Sequence, residues 1–129
     1  MYEDEVLRWE EIPVVSALSM RVINIQEGVA EVEVPRPTSM DGIFECFHGG
    51  LLMTVADTLA CLAVVTFSGP DRKMTTTDMN IRFLAPCFST VKAVAKVIKA
   101  GRTLCPVQVD LYDSSQKHVA VAQVNYMLL

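Results

Sequence analysis

From Gly50 to about Phe67 the chain is almost wholly apolar, with Leu51, Leu52, Met53, Val55, Ala56, Leu59, Ala60, Leu62 and Val65 leaving no continuous polar face. A helix that is hydrophobic nearly all round must be buried nearly all round, so this segment belongs at the centre of the fold. Ser68-Gly69-Pro70 ends it. Asp57 interrupts the apolar pattern. A buried carboxylate without a partner is costly, which points to a working role for it.

His48-Gly49-Gly50 leads directly into this helix. Backbone can be approached closely at glycine, and the first amide N–H groups of a helix have no intrahelical partner. Backed by the helix dipole, such donors can hold a negatively charged oxygen. Asp57 lies seven residues beyond Gly50, or roughly 10 Å along the helix axis. That is too far for both to act on one small group, so a second copy of the chain is expected to bring the partner half.

The remaining segments read as strands with one short helix. Asp4 to Glu11 is expected to be an amphipathic helix ended by Pro13, acting as a flap or lid. Met20 to Gln26 and Val29 to Val34 alternate on either side of Glu27-Gly28 and predict a hairpin. Met40 to Phe47 is a loop. After the helix come Met74 to Leu84, Thr90 to Ala100, Thr103 to Tyr112 and Lys117 to Leu128, separated by turn residues that suit antiparallel pairing. The pattern in Val119 to Leu129 suggests a sheet edge that pairs between subunits. The class is α+β: one antiparallel sheet wrapped around one long central helix, in a single domain over residues 1–129.

Several function classes are excluded on composition. A net charge of −4 and a pI near 5.1 argue against nucleic acid as a partner. No uninterrupted apolar run reaches the roughly 20 residues of a membrane span, and Met1-Tyr2-Glu3-Asp4-Glu5 lacks the basic start of a signal peptide. A cytoplasmic chain is expected. Cys46, Cys61, Cys87 and Cys105 include no CxxC pair, and His48 and His118 are the only histidines, so reduced thiols and no metal are expected. A mean hydropathy of +0.33 is high for a small monomer and implies apolar surface buried between subunits.

Taken in order, His48-Gly49-Gly50, Asp57 nine residues after the histidine, and Thr75-Thr76-Thr77-Asp78-Met79-Asn80 with Pro86 closing the strand resemble the hotdog-fold acyl-CoA thioesterases of the phenylacetic-acid-degradation type. Gly101-Arg102-Thr103 is similar to the turn at which that family meets the coenzyme A phosphates. The resemblance spans about Met20 to Met127. It implies hydrolysis of an acyl-CoA thioester to free acid and coenzyme A without a cofactor, in a homo-oligomer that is a dimer or a dimer of dimers up to a homotetramer.

On that resemblance Gly49 and Gly50 polarise the thioester carbonyl, and Asp57 of the facing subunit activates water or attacks directly. Thr76 orients the water, His48 either fixes the entrance loop or faces the ligand, and Arg102, Arg82 and Lys99 meet the phosphates or are solvated. The chain departs from the family in one loop, with Gly42 and Glu45 where an Asn and a Gly are common. The alternative implied by that loss is a non-catalytic acyl-CoA-binding or regulatory hotdog module. Phe44, Phe47, Met53, Phe67 and Met79 are expected either to line an acyl tunnel or to fill the core.

Overall fold

The computed structural model describes residues 2–129. Its elements are α1 (Glu3–Glu10), α2 (Pro13–Ala17), β1 (Arg21–Gln26), β2 (Val29–Val34), α3 (Gly49–Ser68), β3 (Met74–Phe83), β4 (Val91–Val97), β5 (Leu104–Tyr112) and β6 (His118–Leu128), with one 3₁₀ turn at Thr38–Met40. The strands form one six-stranded antiparallel sheet in the order β1-β2-β4-β5-β6-β3. The long helix packed on an antiparallel sheet is the hotdog architecture that the motif order implies.

Alternation along the strands builds the core. Ala30, Val32 and Val34 of β2 face α3 together with Val91, Ala93 and Ala95 of β4 and Val107, Val109 and Leu111 of β5, all essentially inaccessible. Leu52, Val55, Ala56, Leu59, Leu62 and Ala63 of α3 close against them. Truncating a residue such as Leu59 to Ala there costs about 2–5 kcal/mol.

The sheet covers that face of α3 and α1 covers part of another, leaving the rest open. Gly50 is exposed, and Met53, Thr54, Asp57 and Cys61 are half-buried, so within one chain the expected all-round burial is not reached. The 20-residue length and hydropathy of α3 would suit a membrane span, contrary to the count of uninterrupted apolar residues, yet its inner face is spent on the sheet.

At the other end, Gly28 turns the β1–β2 hairpin at φ +78°, and a Cβ there would lie 3.1 Å from the Phe67 ring. The Gly28 N–H donates to Thr66 Oγ1 at 2.8 Å, so the hairpin tip is docked on the end of α3.

Three expectations are corrected here. The amino-terminal helix is a docked element, because Trp9 is buried and its indole N–H donates to the Thr58 carbonyl at 3.2 Å. Pro13 does not merely end a helix; it starts α2 at the first helical position, where a missing N–H costs nothing. Finally β6 lies between β5 and β3 and is no edge. The free edges are β1 and β3, because the chain after α3 returns alongside β6 on its open side.

Candidate active site

Asp57 is the best-supported polar residue on α3. Its Oδ1 accepts the Thr76 hydroxyl at 2.7 Å and the Tyr126 hydroxyl at 3.0 Å, and the Tyr126 O–H also lies 2.7 Å from the Asp57 main-chain carbonyl. Oδ2 has no partner among the described residues. Thr76 and Tyr126 are directly opposite each other on β3 and β6, so both side chains rise on the helix side of the sheet.

A bulge makes this possible. The β3–β6 register shifts between Thr76 and Asp78, which turns Thr77 and Asp78 outward while Met74, Thr76, Met79 and Ile81 are the half-buried residues of β3. Without that extra residue, unbroken alternation after Thr76 would aim Asp78 and Asn80 at the core. Asp78 instead accepts from Asn125 Nδ2 at 2.9 Å on the outer face.

The surroundings keep Tyr126 a donor. Burial pushes its hydroxyl well above the ordinary tyrosine value, opposed by a hydrogen bond with Thr76 and reinforced by the Cys61 and Asp57 charges. Cys61, one turn beyond Asp57, is pushed up to about 11 by burial and then by the Asp57 charge. It stays a thiol at neutral pH and is no nucleophile. Burial likewise raises Cys87, and all four cysteines are free.

The entrance of α3 differs from expectation at one atom. His48 is the N-cap, and its Nδ1 accepts the Gly50 N–H at 2.9 Å, while Leu51 and Leu52 donate to the His48 carbonyl. The Gly50 amide, expected to be open, is therefore taken by the capping ring. Gly49 is the amide of the first turn left without a partner among the described residues. His48 itself is exposed.

Beside Gly49 lies a cavity of about 390 Å³ lined by Phe47, Gly49, Leu52, Phe83, Leu84 and Pro86. A larger groove of about 1020 Å³ runs between α1 and β1, lined by Val6, Leu7 and Ile23 among others, and touches none of the residues with chemistry. The smaller cavity is the relevant one because Gly49 lines it. Among the candidate tunnel residues, Phe47 is core at 2% exposure and Phe44 is 82% exposed. Phe67 sits at the far end of the 20-residue helix, about 30 Å away, so these aromatics do not form one tunnel within a chain.

The loop that departs from the family pattern is rigidly tied. Arg36 makes a two-pronged pair with Asp41 at 2.9 and 3.0 Å and donates to the Phe88 carbonyl. Gly42 and Cys46 are joined across the turn, and Glu45, exposed at φ +55°, sits at its tip. Asp41 is thus occupied in holding the loop and is not a substitute for the missing amide.

Gly101, Arg102 and Thr103 form the β4–β5 turn. A Cβ at Gly101 would collide with the Leu104 carbonyl oxygen, so the turn requires glycine. The Thr103 carbonyl accepts from Leu128 N, which places the turn at the same end of β6 as Tyr126. Lys99 and Arg102 are both exposed there. Arg82 is not with them: it pairs with Val121, six residues or about 20 Å along β3 from Thr76. The three cations do not form one cluster within a chain. Among the described residues no three of His, Cys, Asp and Glu come together as metal ligands would.

Tyr126 was missed from sequence. Its signal was available: Ala120, Ala122, Val124 and Tyr126 are the in-phase buried residues of β6, and Tyr126 alone carries a polar tip.

Comparison with known proteins gives a consistent picture. The family model of the Thioesterase superfamily matches residues 44–120. A relative from Saccharolobus solfataricus that carries a provisional esterase name is 28% identical over 133 residues, covering 98% of this chain and 94% of the relative. Two solved structures share the fold: a thioesterase family protein from Silicibacter pomeroyi (TM-score 0.91, 22% identity, covering 100% of this chain and 98% of the other) and the PaaI protein of the E. coli phenylacetic acid degradation operon (TM-score 0.89, 24% identity, covering 99% and 92%).

Proposed function

The chain belongs to the thioesterase superfamily, and from that membership we propose that it hydrolyses acyl-CoA thioesters, in the manner of the phenylacetic-acid-degradation type, at a site shared between two copies. The observation that carries this reading is the Asp57 carboxylate, held at Oδ1 by Thr76 and Tyr126 with Oδ2 left open, on the uncovered face of a helix that begins with a free Gly49 amide.

Gly49 and Asp57 are eight residues apart on α3, about 12 Å, so one chain does not bring them onto one thioester. A second copy with its helix running the opposite way sets each Gly49 beside the other chain's Asp57. Two features favour that partner: the half-buried stripe of Met53, Asp57 and Cys61, and the unpaired ten-residue edge of β3.

In the general-base route, Oδ2 takes a proton from water as the water oxygen bonds to the thioester carbon. The Gly49 amide stabilises the developing oxyanion, the C–S bond breaks, and the departing coenzyme A thiolate picks up the proton. In the nucleophilic route, Oδ2 bonds to the carbonyl carbon, the thiolate leaves, and water opens the resulting anhydride. Lys99 and Arg102 supply positive charge for the coenzyme A phosphates in either route.

The single free amide favours a second reading, an acyl-CoA-binding module, because Gly50 is capped and the entrance loop lacks its usual amide side chain. Free-thiol release from short, medium, long and aryl acyl-CoA, with matched oxygen esters as controls, decides between the two. Turnover of thioesters supports hydrolysis and identifies the acyl class. Binding of acyl-CoA without turnover of any member replaces the enzyme with the binding module.

A further inference from the structure

Asp57 Oδ1 accepts two hydroxyl donors from two strands, and one of those donors does more than the other. Of the two atoms of Asp57 involved, Thr76 reaches only the carboxylate oxygen, whereas the Tyr126 O–H lies within hydrogen-bond distance of both the main-chain carbonyl and Oδ1. That hydroxyl therefore spans the backbone and side chain of the same residue, which restricts the rotation of the carboxylate about its own side-chain bonds. Tyr126 is itself held, at 6% exposure, at the end of the buried row of β6.

We infer that Tyr126 is a positioning residue that locks Asp57 by Oδ1 and so assigns Oδ2 as the oxygen that works. The inference rests on the hydrolase reading for its consequence and on geometry for its substance. A carboxylate with both oxygens equally placed would present either one to the reacting carbon or water. With the Thr76 proton on Oδ1 and the single Tyr126 proton shared between Oδ1 and the main-chain carbonyl, Oδ2 is the oxygen left unengaged, and a misplacement of about 1 Å at such an atom costs on the order of 10²-fold in rate.

The test is Tyr126→Phe, which keeps the ring and deletes the hydroxyl. Losing the hydroxyl that spans Asp57 is expected to lower kcat about 10-fold and leave KM within about twofold. A readout independent of turnover accompanies it: the ¹³C carboxyl signal of Asp57, assigned with Asp57→Asn, is compared in the two proteins at one fixed pH. A signal that moves and broadens in the variant while those of the other aspartates hold supports the inference even if the wild type hydrolyses nothing, in which case only the hydrolase reading fails. A variant with a lowered Tm but an unmoved Asp57 signal and an unchanged kcat overturns it, leaving Tyr126 a packing residue. Should the phenylalanine variant not fold, 3-fluorotyrosine placed at 126 keeps the shape and is a stronger donor. It must then move the Asp57 signal, and an unmoved signal overturns the inference.

Discussion

The Thr76 hydroxyl donates to Asp57 Oδ1 at 2.7 Å, joining β3 to α3 across nineteen residues of chain. The contact depends on the bulge after Thr76, since the same side chain on an unbulged strand could not share a face with both Asp57 and the apolar Met79 and Ile81.

Removing that donor while keeping the shape tests its share. Thr76→Val is expected to lower turnover about 10-fold, as loss of one hydrogen bond to a charged group implies, and Thr76→Ser, which retains a hydroxyl, to restore most of it. Steady-state kinetics of the two variants side by side checks this. Equal losses in both would assign Thr76 to strand packing.

Stability should fall at high pH for a stated reason. Tyr126 and Cys61 both titrate above their ordinary values when folded, each chiefly through burial, with Cys61 at about 11. For a raised group the stabilising contribution is complete below the unfolded value, about 8.5 for Cys and about 10 for Tyr, and is lost as pH rises beyond it. Urea midpoints should therefore be flat in this respect up to about pH 8 and decline above it. Tyr126→Phe should remove the part of that decline lying above about pH 10, and an unchanged slope there would contradict the buried-hydroxyl account.

A site assembled from two copies predicts complementation. Asp57→Ala and a Gly49→Pro variant, which lacks the amide N–H, are each expected to be inactive. Unfolded together and refolded, they form hybrid dimers in which one of the two sites has both an intact Asp57 and an intact Gly49. Recovery of about a quarter of wild-type activity, the product of half the dimers and half their sites, follows from statistical mixing of a shared site. No recovery in refolded dimers of confirmed mixed composition would place both groups within one chain.

Arg102→Ala should weaken coenzyme A binding, and the difference from wild type should shrink as salt rises, because exposed charges are screened over about 10 Å at 0.1 M. Calorimetry at two ionic strengths measures it. Arg82→Ala should not mimic it within one chain's geometry, given its place at the opposite end of β3.

Most of the fold was legible because it rests on period. The alternation of Val29 to Val34 and the unbroken apolar run after Gly50 each dictate one element and one buried face. Asp57 was legible because a carboxylate among apolar residues violates that period. What escaped depends on register and on single atoms. Tyr126 becomes meaningful only once it is opposite Thr76, a pairing fixed by a bulge that no local pattern announces. Whether His48 caps the helix or faces a ligand is decided by a side-chain rotamer, and that choice removes the Gly50 amide. The Val119 to Leu129 strand has the same alternation whether it is an edge or an interior strand, so its place between β5 and β3 came from topology alone.

Asp57 is where the account is most exposed. Thiol release from the acyl-CoA panel by wild type and Asp57→Ala, run together on proteins verified as folded and equal in oligomeric state, tests it directly. A loss of about 10²-fold or more in kcat with acyl-CoA binding retained is the predicted result. Equal turnover in the two proteins would contradict it and remove Asp57 from the chemistry.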